Sequence, residues 1–203
     1  MTRKLYLASQ SPRRSELLTQ IGVSFSILAV DIDESVKNNE IAKDYVTRLA
    51  KEKALAGWHQ SPFSDKVVLG SDTAVVIDGE ILGKPENEQN AKRMLLLLSG
   101  KTHQVMTGVA LAQTAKSLNQ PELDHILNVS EVSFKTLSAK EIERYLSSGE
   151  YDGKAGAYGI QGAAAAFITH LSGSYSGVMG LPLYETMTLL NNAGIRQDSL
   201  VVS

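Results

Sequence analysis

The chain of 203 residues contains no cysteine. That excludes disulfides, thiolate zinc sites and cysteine nucleophiles together, and it fits a reducing compartment. Charge of one sign is not in excess either, with a formal net charge of −2. A protein that wraps duplex nucleic acid carries a basic surplus, so nucleic acid is not expected as the main partner. Long apolar runs are missing. The run Met94–Leu98 is far short of a membrane span. In the opening MTRKLYLASQ, only Leu5, Tyr6, Leu7 and Ala8 follow the basic residues, too few for the centre of a signal peptide. Asn128-Val129-Ser130 matches a glycosylation acceptor, but without a secretory signal the match carries no weight. The expectation is a cytoplasmic protein with no membrane partner.

What is present is ordinary globular composition, 43% hydrophobic and 21% charged. At this length roughly 70% of the unfolded surface is buried on folding, so no covalent or metal staple is required. One α/β domain over residues 1–203 is expected, with room for two lobes around one cleft. No internal repeat or linker forces a boundary.

The pattern along the chain is an alternation of strands and helices. Lys4–Ala8 reads as a buried strand, broken at Ser9-Gln10-Ser11-Pro12. Ser11 then caps a helix over Arg13–Ile21, with Pro12 in its first turn. Ser24–Val30 alternates as a strand and ends in the acidic Asp31-Ile32-Asp33-Glu34. Residues 41–58 carry the clearest helical spacing, through Ile41, Tyr45, Val46, Leu49, Ala50, Lys53 and Ala54. Lys66–Leu69 is a strand that ends in Gly70-Ser71-Asp72-Thr73. Ala74–Ile77 continues extended to the hairpin signal Asp78-Gly79. A helix over Asn87–Leu98 follows the break at Gly83-Lys84-Pro85. Two long strands, Thr102–Ala112 and Ile126–Leu137, flank the polar segment Gln113–Asp124. Ser138 and Glu141 form a capping box for a helix over 139–147. Four glycines occupy the ten residues Gly153–Gly162, implying special turns or close backbone approach. Ala163–Leu171 reads as a strand, Gly173–Gly180 as a loop and Pro182–Asn192 as the last helix. The hairpins make a mixed α/β sheet with flanking helices the expected fold class, rather than a purely parallel sheet.

Two motifs imitate chemistry and fail. Ser99-Gly100-Lys101-Thr102 ends like a phosphate-binding P-loop, but Leu95 stands where the first glycine is needed and a helix precedes it. Gly173-Ser174-Tyr175-Ser176-Gly177 puts tyrosine where a nucleophile elbow needs serine. His59, His103, His125 and His170 show no metal spacing and read as surface or packing residues.

Three loops carry candidate chemistry. Ser9, Ser11 and Arg13 lie between a strand and a helix, where hydroxyls, backbone N–H groups and guanidinium forks bind anions. The alternative is a plainly capped helix with solvated arginines. Asp72 can bind a hard cation or take a proton from water; alternatively it is a turn aspartate bonded to its own backbone. Glu34 either faces the same crevice or belongs to a solvated acidic loop. Lys53 and Lys84 suit neutralisation of a triphosphate, or are surface lysines. The glycine-rich segment lacks the dinucleotide fingerprint. Within it, Gln161 offers both a donor and an acceptor to a base edge.

Seven segments, taken in order, resemble the Maf family of nucleoside triphosphate pyrophosphatases. They are Leu7-Ala8-Ser9-Gln10-Ser11-Pro12-Arg13-Arg14, Arg48-Leu49-Ala50-Lys51-Glu52-Lys53-Ala54, Gly70-Ser71-Asp72-Thr73, Gly83-Lys84-Pro85, His103-Gln104-Val105-Met106-Thr107-Gly108-Val109, Lys154 through Gly162, and Gly180-Leu181-Pro182-Leu183-Tyr184-Glu185-Thr186.

The resemblance implies an elongated mixed α/β fold with a central cleft, similar to the inosine triphosphate pyrophosphatases. It implies attack of water at the α-phosphorus, release of pyrophosphate, and Mg²⁺ or Mn²⁺ as cofactor. Asp72 matches the family's proton acceptor. Ser9, Arg13, Glu34, Lys53 and Lys84 match positions lining the cleft. Ser11 and Lys154 join them as substrate-binding candidates, with Glu34 and Asp72 as candidate metal ligands. Arg13, Thr73 and Gln161 match the branch acting on dTTP and UTP, whereas a sister branch acting on 7-methyl-GTP carries Trp, Gln and Glu there. One departure is Gly153, which separates Asp152 from Lys154 where many members place Asp directly before the Lys-Ala-Gly run. A homodimer is implied by the family alone. Because the family name is associated with septum formation, the alternative function is a non-catalytic nucleotide-binding regulator of cell division; within the enzyme class, the alternative is a house-cleaning hydrolase whose substrate is a modified pyrimidine nucleotide. Asp72 discriminates, since a pure binder needs no carboxylate at the reacting phosphorus.

Overall fold

Short apolar runs with strand propensity and amphipathic stretches with helical spacing settle into an alternating α/β chain. The computed structural model describes residues 3–61, 65–114 and 120–197. Seven strands form a sheet in the order β2-β1-β3-β5-β6-β7, with β4 paired to β3. Strand β1 (Lys4–Leu7) lies parallel to both β2 (Ser26–Ile27) and β3 (Lys66–Ile77). Strand β4 (Glu80–Leu82) runs antiparallel to β3. Strand β7 (Ile168–Ser172) runs antiparallel to β6 (Pro121–Phe134), and β5 spans Thr102–Thr114. The sheet is therefore mixed, as expected. Among the described residues no helix is long and apolar enough to cross a membrane.

The chain divides into two compact units. The first comprises the described residues of 1–72, 107–128 and 180–203; the second comprises 73–106 and 129–179. Strands β3, β5 and β6 contribute residues to both.

In the first unit, helix α2 (Ala42–Gln60) buries Val46, Leu49, Ala50, Lys53, Ala54 and Gly57. Ala50, Ala54 and Trp58 pack with Tyr6, Ala8, Val68, Ala110 and Ala112. The small side chains let the helix backbone approach the strands. A Cβ on Gly70 would fall 2.3 Å from the Ala50 carbonyl oxygen, and one on Gly108 would fall 2.5 Å from that of Val46. Helix α1 (Pro12–Gln20) and helix α6 (Leu183–Asn192) complete this unit.

The second unit is built on helix α3 (Glu88–Leu98) and helix α4 (Ala139–Leu146). Asn87 Oδ1 caps α3 by accepting from the Asn90 N–H, and Ser138 and Glu141 form the expected capping box on α4. Their apolar faces bury Leu95, Leu98, Ile142 and Leu146 with Val75, Val105, Phe134 and Phe167. Helix α5 (Tyr175–Met179) adds one short turn.

Several expected boundaries differ. Asp72 does not stand at a strand's end: β3 runs unbroken from Lys66 to Ile77. Gly70 is an extended residue against which α2 packs, so its missing side chain makes room for the helix and does not break the strand. Ser24–Val30 shrinks to Ser26–Ile27, both exposed at the edge of the sheet, while Leu28 and Val30 lie beyond the strand and pack against the core. Ala163–Phe167 is a 3₁₀ helix and only Ile168–Ser172 is strand, since a run of alanines offers a sheet nothing to pack. Gly173–Gly180 holds helix α5, with Ser174 Oγ accepting from the Gly177 N–H at its start. The strands β5 and β6 extend to Thr114 and from Pro121 into the segment expected as a loop, whose middle lies outside the described residues.

Candidate active site

In the first unit, polar residues that the sequence separates widely converge. On α2, Lys53 lies on the face that packs against β3. Asp72 follows Gly70 by two residues and so points to the same side of the strand. The Lys53 ammonium donates to Asp72 Oδ1 at 2.6 Å and stands 2.7 Å from Glu34 Oε1. The Lys53 and Asp72 side chains are only 9% and 11% exposed, whereas Glu34 is 42% exposed. Two carboxylates thus share one buried cation. Asp72 makes its contact with another element of the fold, so the reading as a self-bonded turn residue is set aside.

Behind this cluster the acidic segment is tied down. Tyr45 on α2 donates its O–H to the Glu34 carbonyl at 3.0 Å. Burial, followed by the charges of Asp72 and Glu34, raises the Tyr45 phenol to about 12. Arg48, one turn further along α2, clamps both oxygens of Glu40 at 2.6 and 2.7 Å and donates to the Ser35 carbonyl at 3.0 Å. The guanidinium holds the Glu40 carboxyl down to about 2.

At the end of β1, Ser9 is buried. Its Oγ accepts from the Ser11 N–H at 3.2 Å and from Arg14 Nη1 at 3.1 Å. Arg14 Nε donates to the Gly180 carbonyl at 2.9 Å. Burial lowers the Arg14 guanidinium, and the charges of Asp72 and Glu34 work against that lowering. Arg13 is partly buried, and desolvation lowers its guanidinium also. Ser11 holds the cap position of α1, but its side chain makes no capping hydrogen bond. Ser71 is fully buried, with Oγ 3.0 Å from the carbonyl oxygens of both Gly108 and Gly180.

The second unit carries the remaining candidates. Thr73 follows Asp72 in β3 and is partly buried. Lys84 is exposed just after β4, beside Gly83, whose carbonyl accepts from the Gly156 N–H at 3.0 Å. The glycine-rich segment turns through a 3₁₀ helix over Ala155–Ala157, with Gly156 at φ 66°. Lys154 and Gln161 converge over Gly159: a Cβ there would lie 2.9 Å from Lys154 Cε and 3.3 Å from Gln161 Oε1. Gln161 is exposed.

Arg14, Tyr45 and Arg48 are site residues that the sequence reading did not select. Arg14 sits beside Arg13, and its role depends on the distant Gly180 carbonyl. Tyr45 and Arg48 share a helical face with Glu52, Arg48 and Glu52 standing i,i+4 with Arg48 Nη1 3.1 Å from Glu52 Oε2. That spacing was the available signal.

Among the described residues, no group of three or more His, Cys, Asp or Glu side chains is placed to hold a metal. The donor chemistry nevertheless suits a hard divalent cation. Asp72 and Glu34 supply hard carboxylate oxygens on either side of the Lys53 ammonium, and Mg²⁺ takes one or two carboxylates while keeping several waters.

A match to the Maf family, described as Maf-like protein, runs over residues 4–193. The chain belongs to the Maf family. Three similar Maf relatives carry the name dTTP/UTP pyrophosphatase. That of Colwellia psychrerythraea is 54% identical over 196 residues, covering 95% of this chain and 90% of the relative. That of Pseudoalteromonas translucida is 53% identical, covering 94% and 97%. That of Salmonella typhimurium is 52% identical, covering 96% and 95%.

Proposed function

We propose that this Maf protein hydrolyses dTTP and UTP to the monophosphate and pyrophosphate. The observation that carries the reading is the buried Asp72 carboxylate, aligned with Glu34 by Lys53, in a chain about half identical to dTTP/UTP pyrophosphatases. Water attacks the α-phosphorus as its proton passes to Asp72. The α–β bridging bond breaks, and its oxygen leaves with pyrophosphate. Lys53 engages Oδ1 of Asp72, which leaves Oδ2 as the proton acceptor. The cations Lys53, Lys84 and Lys154 and the arginine Arg13 offset the charge of the triphosphate and of the departing pyrophosphate. Ser9 and Ser11 offer hydroxyl and backbone donors at the start of α1.

A carboxylate is a weak base, and a divalent cation held by Asp72 and Glu34 would supply a more acidic bound water. Mg²⁺ or Mn²⁺ is the cofactor of this reading. Arg13, Thr73 and Gln161 read the base. The substrate is a free nucleotide, in accord with the net charge of −2, and the active form is a cytoplasmic homodimer.

The test is a panel of nucleoside triphosphates with separate detection of pyrophosphate and orthophosphate, with Mg²⁺ and after metal removal in chelator. Pyrophosphate release from dTTP and UTP, lost in chelator and restored by Mg²⁺, is expected. Release of orthophosphate, or no turnover of pyrimidine nucleotides, overturns the reading.

A further inference from the structure

Gln161 occupies a turn whose shape is set from outside it. The Gly162 N–H donates to the Gly159 carbonyl at 3.1 Å, which places Ile160 and Gln161 at the turn's centre. Ile160 is buried and Gln161 is exposed. A short relay joins the two ends of the turn. The Gly159 N–H donates to the Tyr145 phenol oxygen. The Tyr145 O–H donates to Glu150 Oε1 at 3.3 Å, and Glu150 Oε2 accepts from the Ala163 N–H at 2.9 Å. Tyr145 is itself fixed, 3% exposed at the end of α4 with its ring edge-on to Phe167 at 5.4 Å. Gly162 has no side chain because the carboxylate fills that space: a Cβ would fall 2.2 Å from Glu150 Oε1. The backbone of the same residue holds the other polar group of the segment, since the Lys154 ammonium donates to the Glu150 carbonyl.

We infer that Glu150, acting with Tyr145, is a positioning residue for base selection, bracketing residues 159–163 so that the Gln161 amide and the Lys154 ammonium face the nucleotide together. Neither Glu150 nor Tyr145 touches substrate. The carboxylate accepts from a peptide N–H and a phenol at once, a bond set stronger than a neutral acceptor provides. Without it the turn keeps its 159–162 hydrogen bond and its Gly159 contact to Tyr145, but its end at Ala163 loses its anchor. A side chain that must meet a base edge then spends less time in register. The proposal rests on Gln161 reading the base.

The experiment measures kcat and KM for UTP and GTP in the native protein and in Glu150→Ala, Tyr145→Phe, Gln161→Ala and Glu150→Ala/Gln161→Ala, with folding followed by melting. Glu150→Ala is expected to lower the UTP-to-GTP ratio of kcat/KM about tenfold, through KM for UTP, with a smaller loss in Tyr145→Phe. In the Gln161→Ala background the same substitution is expected to leave the ratio unmoved. A general packing defect would instead lower turnover of both nucleotides in both backgrounds, and that result overturns the positioning role. An unmoved ratio in a folded Glu150→Ala, with a lowered one in Gln161→Ala, overturns it also. An unmoved ratio in Gln161→Ala shows that Gln161 does not read the base, and the earlier reading falls instead. If Glu150→Ala does not fold, Glu150→Gln replaces it. Its amide oxygen can still accept from the Ala163 N–H while its NH2 faces the Tyr145 phenol, which must turn from donor to acceptor, so the same shift in ratio is expected at smaller size.

Discussion

The Lys53 ammonium stands 2.6 Å from Asp72 Oδ1, with both side chains nearly sealed from solvent. Breaking a buried pair by removing one partner strands the other charge, commonly at a cost of about 3–5 kcal/mol. The second carboxylate changes that balance, because Glu34 also lies within 2.7 Å of the same nitrogen. Asp72→Asn keeps an oxygen for Lys53 to donate to and leaves Glu34 to neutralise it. The variant is therefore expected to fold normally, while turnover of UTP falls by roughly 10²-fold or more with the base gone. Lys53→Met behaves oppositely. It leaves two carboxylates facing each other without the ammonium they share, and chemical denaturation should show a loss of about 3 kcal/mol. Near-normal turnover in a folded Asp72→Asn removes Asp72 as the base.

Gly70 sets the distance across which that pair forms. Residues 70 and 72 share one face of β3, and α2 lies against it so closely that a Cβ at 70 would meet the Ala50 carbonyl at 2.3 Å and the Ala54 nitrogen at 2.6 Å. Both neighbours are backbone and cannot rotate away. Gly70→Ala must push the helix from the strand, at a cost of about 2–3 kcal/mol. The same displacement draws Lys53 from Asp72. The expected result is a lowered melting temperature together with reduced turnover that stabilising additives do not restore. An unchanged melting temperature would mean that α2 does not pack on β3 as closely as described.

Helix α2 and the capped helices α3 and α4 were legible because their apolar residues recur at helical spacing and their caps have distinct side chains. The mixed sheet was legible from hairpin signals such as Asp78-Gly79. Gly70 was not, because a glycine that ends a strand and one that lets a helix touch it look identical in one dimension. The alanine run 163–166 read as strand for want of any competing signal, and its short helical turns depend on Glu150 accepting from Ala163. In the site, Asp72 and Glu34 were separable from surface acids only through the Maf resemblance. Their shared partner Lys53 links segments 19 residues apart on one side. Arg14 and Tyr45 reach the backbone carbonyls of Gly180 and Glu34, and a carbonyl acceptor leaves no trace in residue identity, whereas Arg48 pairs with Glu40 and Glu52 side chains and left the i,i+4 spacing as its signal.

His103 ties acid sensitivity to the second unit. It is 2% exposed, with Nε2 2.8 Å from Tyr158 Oη and the ring edge-on to Phe134. Its Nδ1 is buried without a hydrogen-bond partner among the described residues. Burial depresses the imidazole from 6.5 to about 4. Between those values the folded chain binds fewer protons than the unfolded chain, so this contribution to stability is present above pH 6.5 and is lost as pH falls towards 4. The upper bound is about 3 kcal/mol. His103→Phe should flatten the fall in unfolding free energy between pH 7 and pH 4.5, whatever its effect on stability at neutral pH. Parallel curves for the two proteins would show that the ring already carries its proton in the folded chain.

Base choice offers the sharpest test of the three candidate specificity residues. Arg13 stands in the first turn of α1, Thr73 beside Asp72 in β3, and Gln161 in the turn held by Glu150. The three side chains differ in what they can do. Gln161 presents a donor and an acceptor, which matches the edge of uracil or thymine. Thr73 is small, leaving room next to Asp72. Arg13 is a rigid fork that serves base or phosphate. The family resemblance implies Trp, Gln and Glu at these positions in the branch acting on 7-methyl-GTP. A tryptophan offers a stacking face to a cationic purine, and a glutamate offers it only acceptors. Arg13→Trp/Thr73→Gln/Gln161→Glu should therefore lower kcat/KM for UTP relative to 7-methyl-GTP. Each buried donor or acceptor left unpaired commonly costs about 1–3 kcal/mol, so a fall of at least about tenfold in the ratio is expected. The pyrophosphate release assay reads it directly, with melting to show that the variant is folded. A ratio unchanged from the native protein, in a variant that still turns over nucleotide, would mean that selection lies in other residues.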